Sequence, residues 1–122
     1  LGASWEDDLP YRERFRELDD EHENFHFVPT CSREQYLTEW EGETSYVQQT
    51  LVKYITEEAR ADLDGKMAGF AEQDPAYDVD ARLDPSDLEV YACGINVMVG
   101  TLVDTVQSLG VPDEYIKFEG FG

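Results

Sequence analysis

Positive charge is what this sequence lacks most. Nine Lys and Arg stand against 28 Asp and Glu, giving a formal net charge of −19, and only Lys53, Lys66 and Lys117 are lysines. That shortage argues against a nucleic-acid or anionic-membrane partner, because both select for basic patches. Cysteine is scarce too: Cys31 and Cys93 do not make a disulfide scaffold at this length. No apolar run approaches membrane-spanning length. The two histidines, His22 and His26, lie together and far in sequence from Cys93, and no nucleophile–base–acid set is in view. The generic nucleotide fingerprints, G-x-G-x-x-G and the Walker loop, are also absent.

What is present points to one folded domain. The length of 122 residues suits a single core, and 41% apolar residues with 15 aromatics argue against disorder. The acids are dispersed over nearly every segment rather than collected in a tail, which reads as a solvated surface. Such a surface is expected of a salt-adapted (halophilic) cytoplasmic protein, in which salt screens self-repulsion.

Periodicity sets out the elements. Asp7-Asp8 and Pro10 signal a helix start, and Tyr11, Phe15 and Leu18 line one helical face running to about His22, with Asn24 as a stop. Phe25–Val28 reads as a strand ending by Pro29, and 34–44 as a loop. A helix is expected from Ser45 past Ile55 on Val47, Leu51, Tyr54 and Ile55. Residues 59–87 form an acidic, partly helical excursion punctuated by Gly65, Gly69, Pro75 and Pro85. Leu88–Cys93 reads as a buried strand turning at Gly94. Asn96 then caps a helix carrying Met98, Leu102, Val106 and Leu109, which Gly110 and Pro112 close, and Tyr115–Phe118 reads as a last strand. Alternation of this kind predicts a three-layer α/β/α domain with a parallel sheet, whose ligands bind at the carboxyl ends of the strands.

Several motifs compete for a function. His22-Glu23-Asn24-Phe25-His26 matches the zinc-protease pattern H-E-x-x-H. It straddles a helix end, so the imidazoles do not share a helical face, and no metal site is expected. Asp62/Asp64 and Asp78/Asp80 lack the spacing of a calcium loop. Ser32-Arg33, leaving a strand, combines a hydroxyl and a guanidinium suited to a phosphate monoester. Cys93-Gly94-Ile95-Asn96 lies between a strand and a helix N-terminus, where backbone N–H groups and the helix dipole suit a pyrophosphate or a polar amide.

These stretches in their order resemble the NAD(P)-binding domain of the ferredoxin–NADP reductase superfamily. The resemblance runs through Leu1-Gly2-Ala3, Asp8–Phe15, Cys31–Gln35, Gly42–Gln48, Val90–Met98, Gly110-Val111-Pro112 and Glu119-Gly120-Phe121, nearly the whole chain except the acidic excursion. It implies a Rossmann-like domain, incomplete at its N-terminus, that follows an FAD-binding domain in a longer flavoprotein. Ser32 and Arg33 would then contact the 2′-phosphate of NADP, with Tyr46 and Gln48 beside it and the adenine. Gly94, Ile95 and Asn96 would line the dinucleotide path, Cys93 would lie near the nicotinamide, and Glu119 and Phe121 would close over flavin or nicotinamide. Cys93 and Glu119 are the catalytic candidates. Ser4 stands where many relatives carry Arg, and Thr44 replaces a basic residue of plant-type NADP enzymes, so the resemblance leaves NADP and NAD both open. The implied function is hydride transfer between nicotinamide and FAD, with a ferredoxin or another iron–sulfur protein as electron partner. The alternative is a non-catalytic regulatory or electron-transfer subunit domain that keeps the fold.

Overall fold

The computed structural model describes residues 1–34 and 38–122; Gln35, and with it part of the expected 34–44 loop, lies outside the described residues. The domain is built from two strand–helix–strand units. In the first, β1 (Gly2–Ala3) leads through α1 (Arg12–Glu21) to β2 (Thr30–Cys31), and the strands pair in parallel with Gly2 opposite Thr30 and Ala3 opposite Cys31. In the second, β3 (Val90–Ile95) leads through α5 (Asn96–Ser108) to β4 (Ile116–Phe121), parallel from Val90–Ile116 to Ile95–Phe121. Between the units lie α2 (Val47–Leu51), α3 (Glu57–Ala61) and α4 (Gly65–Ala71). Mixed helices and parallel strands are the α/β class that the alternation of the sequence implies. Among the described residues the strands form two separate two-stranded sheets.

The second unit carries the main core. Val99, Leu102 and Val106 of α5 pack on Ala92 and Ile116 of the sheet and on Val111. Val47 and Leu51 of α2 pack against the same cluster, and Val47 also lies beneath Gly2 of β1. Helix α2 therefore joins the two units. A second cluster, Val52, Ile55 and Ala71, is closed by Leu63, Met67, Phe70 and Leu109 and holds the excursion to the body.

Four local expectations change. No acid caps α1: Asp7 and Asp8 lie in a 3-10 turn, and the N-cap is Tyr11, in the left-handed region at φ 55°. The helix itself runs to Glu21 with His22 as its C-cap, about where the periodicity placed its end. Phe25–Val28 is not a strand; its aromatics pack on Phe15, with Phe15 and Phe27 centroids 5.4 Å apart, and the strand is Thr30–Cys31 after Pro29. Helix α2 ends at Leu51, because residues 54–56 pair instead with Leu83: Leu83 N–H donates to Tyr54 O at 2.7 Å, and Thr56 N–H to Leu83 O at 2.9 Å. Asn96 is the first residue of α5 and makes no cap, the N-cap being Ile95, and β3 and β4 both run further toward their carboxyl ends than expected.

Candidate functional site

Parallel pairing puts the carboxyl ends of paired strands side by side, and the candidate residues fall at those ends. At the first sheet, the turn after β2 is hung from the segment after β1. Ser32 N–H donates to Ala3 O at 3.0 Å and Arg33 N–H to Ser4 O at 2.9 Å. Their backbones are thus tied down, and Arg33 is exposed. None of the described ion pairs involves it, nor Lys66, Arg82 or Lys117, whereas Arg12, Arg14, Arg16 and Arg60 each face a carboxylate. An unpaired guanidinium in a chain of charge −19 is a place where an external anion is welcome.

Tyr46 and Gln48 belong to the same neighbourhood. The Thr30 hydroxyl donates to Ser45 O, which ties the start of α2 to β2. Tyr46 N–H is held by Gln49 Oε1 at 3.0 Å, and the Tyr46 side chain is 60% exposed. Gln48 Oε1 is buried and has no hydrogen-bond partner among the described residues. Buried oxygens of this kind are rare, and a bound donor is one way to satisfy them.

At the second sheet the register does the assembling. Cys93 pairs with Glu119, Gly94 with Gly120 and Ile95 with Phe121. Side chains at paired positions share a face, so Cys93, Ile95, Glu119 and Phe121 project together, opposite to the face that packs on α5. All four are exposed. Asn96 lies against Gly120, and a Cβ on Gly120 would collide with its Oδ1; Met98 fills the corresponding space over Gly94. Glycine at both positions makes room for these two side chains against the strand ends. Cys93 differs from Cys31, which is fully buried and whose thiol is pushed up to about 11 by that burial and by the Glu34 and Glu6 charges.

The structure therefore gathers the candidates into two groups, Ser32, Arg33, Tyr46 and Gln48 in one and Cys93–Asn96 with Glu119 and Phe121 in the other. Helix α2, which carries Gln48, packs through Val47 and Leu51 on the core of the second unit. A cavity of about 460 Å³ between α1, Phe27, Pro29 and Trp40 contains none of the candidates. Its cations are already engaged, Arg12 with Glu6 at 2.8 Å and Arg16 over the Phe27 ring at 5.0 Å. His22 and His26 lie beyond the end of α1, so the H-E-x-x-H pattern is not a helical one. Among the described residues no helix is long and apolar enough to cross a membrane.

One polar cluster went unseen in the sequence. Glu43, 2% exposed, accepts from Lys53 Nζ at 2.6 Å, from Tyr54 OH at 2.6 Å and from Ala76 N–H at 3.0 Å. The available signal was Lys53 itself, set in the run Leu51-Val52-Lys53-Tyr54-Ile55. A lysine inside an apolar run must find a buried acid.

Residues 1–104 match the oxidoreductase NAD-binding domain family. The chain belongs to that family. It is 30% identical over 121 residues to a subunit of the Na(+)-translocating NADH-quinone reductase of Idiomarina loihiensis, covering 99% of this chain and 24% of the relative. The same subunit in Pseudoalteromonas atlantica is 29% identical over 112 residues, 92% of this chain and 22% of that protein. The NAD-binding domain thus spans about a quarter of the length of these relatives. The resemblance to the ferredoxin–NADP reductase superfamily holds at the level of the family, and with it the oxidoreductase class.

Proposed function

We propose that this domain holds the nicotinamide dinucleotide in a flavin-dependent NADH oxidoreductase and presents it to an FAD carried by a flavin-binding domain of the same parent chain, with an iron–sulfur partner for the electrons. Bound nicotinamide supplies a hydride for the flavin; the protein's share is binding and placement. The observation that carries the reading is Arg33, unpaired and exposed at the carboxyl end of a parallel strand. In this reading Ser32 and Arg33 hold the ribose end of the adenosine half, the exposed Tyr46 ring offers the adenine a face, and Gln48 offers its unpartnered Oε1 to a donor. Gly94, Ile95 and Asn96 run beside the pyrophosphate. Cys93, Glu119 and Phe121, on one face of the ladder, border the nicotinamide and keep water from it. The relatives' name favours NADH as the dinucleotide and membership of a multi-subunit quinone reductase. The two short parallel ladders, each with an unpaired edge among the described residues, also suit a sheet whose central strand is supplied by other residues of the parent.

Titrating the full chain with NADH, NADPH and 2′,5′-ADP tests this. Saturable binding of NADH is expected. Arg33→Ala should weaken 2′,5′-ADP by about tenfold, the size of one lost charge-assisted hydrogen bond, and NADH by less. Undetectable binding of all three ligands overturns the assignment.

A further inference from the structure

The cluster around Glu43 uses a buried ion pair where apolar side chains would cost less, and its position in the chain gives it a task. Its carboxylate is gripped from the turn after α2 by Lys53 and Tyr54 and from the excursion by Ala76 N–H. Its backbone is gripped from the other side. Glu43 O accepts from Cys31 N–H at 2.9 Å and from Trp40 Nε1 at 2.9 Å, and Thr30 and Glu43 form a parallel bridge. Tyr54 OH also accepts from Tyr77 N–H at 3.3 Å. The Tyr77 ring lies beneath Arg16, 5.6 Å from its guanidinium, while its hydroxyl crowds Gly42 together with the Trp40 ring. One residue thus joins β2, α2 and the acidic excursion.

Glu43 stands between the two halves of the adenosine edge. Cys31, its backbone partner, immediately precedes Ser32 and Arg33; Tyr46 and Gln48 follow Glu43 by three and five residues. Any slip at Glu43 therefore changes the spacing between the Ser32-Arg33 turn and the Tyr46-Gln48 turn. Binding constellations tolerate displacements of only about 0.5 Å, which supporting groups must enforce. A buried pair fixes one register because a slipped one leaves charges unpaired.

We propose that Glu43, held by Lys53 and Tyr54, is a positioning residue for the adenosine half of the dinucleotide, and that the acidic excursion serves as the buttress for that half. The proposal rests on the dinucleotide reading above. It sets the nicotinamide half apart, because Gly94–Asn96 and Glu119–Phe121 are fixed by the β3–β4 ladder and share no hydrogen bond with Glu43 among the described residues.

The test is calorimetric titration of the full chain with three probes: 5′-AMP, 2′,5′-ADP and nicotinamide mononucleotide. The variants are Glu43→Gln and the milder Tyr54→Phe, which keeps the ring and removes one hydroxyl. Circular dichroism checks folding, and Tyr54→Phe carries the test if Glu43→Gln does not fold. Positioning predicts that both adenosine probes weaken by about tenfold, the usual effect of disturbing a supporting shell, while the mononucleotide stays within about twofold. Equal weakening of all three probes is general loosening and overturns the proposal, as does no change in any of them. If the unmodified protein binds the mononucleotide but neither adenosine probe, the dinucleotide assignment of this edge falls and the proposal falls with it.

Discussion

Three weak acids lie where losing a proton is costly. The Cys31 thiol is pushed up from 9.0 to about 11, mainly by burial and then by the Glu34 charge. Burial moves the Tyr77 phenol from 10.0 to about 12, opposed by the Arg16 guanidinium. Burial and the bond to Glu43 raise Tyr54 as well. Each group keeps its proton longer folded than unfolded, so above its ordinary value the unfolded chain binds fewer protons and stability falls as pH rises. The contributions of Cys31 and Tyr77 are whole below about pH 9 and are lost between about pH 9 and about pH 12, and that of Tyr54 persists higher. Melting temperature followed by circular dichroism should drop across that window. Tyrosinate absorption should then show a late stage, with Tyr54 and Tyr77 ionising only on unfolding. A single stage at the ordinary tyrosine value would contradict the burial of these two rings.

The end of α5 tests the backbone at the scale of an element. Val111 N–H donates to Val106 O and Gly110 N–H to Gln107 O, with Gly110 at φ 95°. That is the Schellman pattern, which needs a residue without Cβ at its left-handed position. Gly100, in the same helix, is exposed with open space where a Cβ would go. One substitution should therefore have opposite signs at the two sites. Gly110→Ala is expected to destabilise by about 1–2 kcal/mol, and Gly100→Ala to stabilise by about 0.5–1 kcal/mol. Urea unfolding of both variants decides it, and equal signs would refute the cap.

The same helix shows what could be read without a structure. Apolar spacing and the Gly110–Pro112 stop located α5, and Cys93–Asn96 fell at a strand-to-helix junction as expected, because those signals are local. The errors lie where backbone groups are taken by distant partners. Phe25–Val28 has the composition of a strand, but Phe27 N–H donates to Asp19 Oδ2 at 2.8 Å instead of to a neighbouring strand. Helix α2 should have continued through Ile55, but Leu83, beyond the excursion, claims the backbone of residues 54–56. Glu43 was hidden in the same way: in sequence it is one acid of 28, and only folding brings Lys53 and Tyr54 onto it.

Charge is the property of the whole molecule. A net charge of −19 is spread over a surface with few cations, so the protein repels itself and repels any anion that approaches. A dinucleotide is such an anion. It meets a repulsive field at long range and the attraction of Arg33 only at contact. Salt acts unequally on the two: the screening length falls from about 10 Å at 0.1 M to about 3 Å at 1 M, which removes the distant repulsion before it removes the contact attraction. Both melting temperature and NADH affinity are therefore expected to rise as KCl is raised from a few millimolar to about 0.1 M. This is opposite to the response of a basic nucleotide site, where added salt weakens binding at once. In Arg33→Ala the contact term is gone, so binding starts weaker and its salt dependence should be a rise alone, with no downturn toward 1 M. Dissociation constants measured across the KCl series in both proteins would separate the two terms. Affinity that falls steadily with salt in the unmodified protein would mean that local cations, not the acidic envelope, govern the encounter.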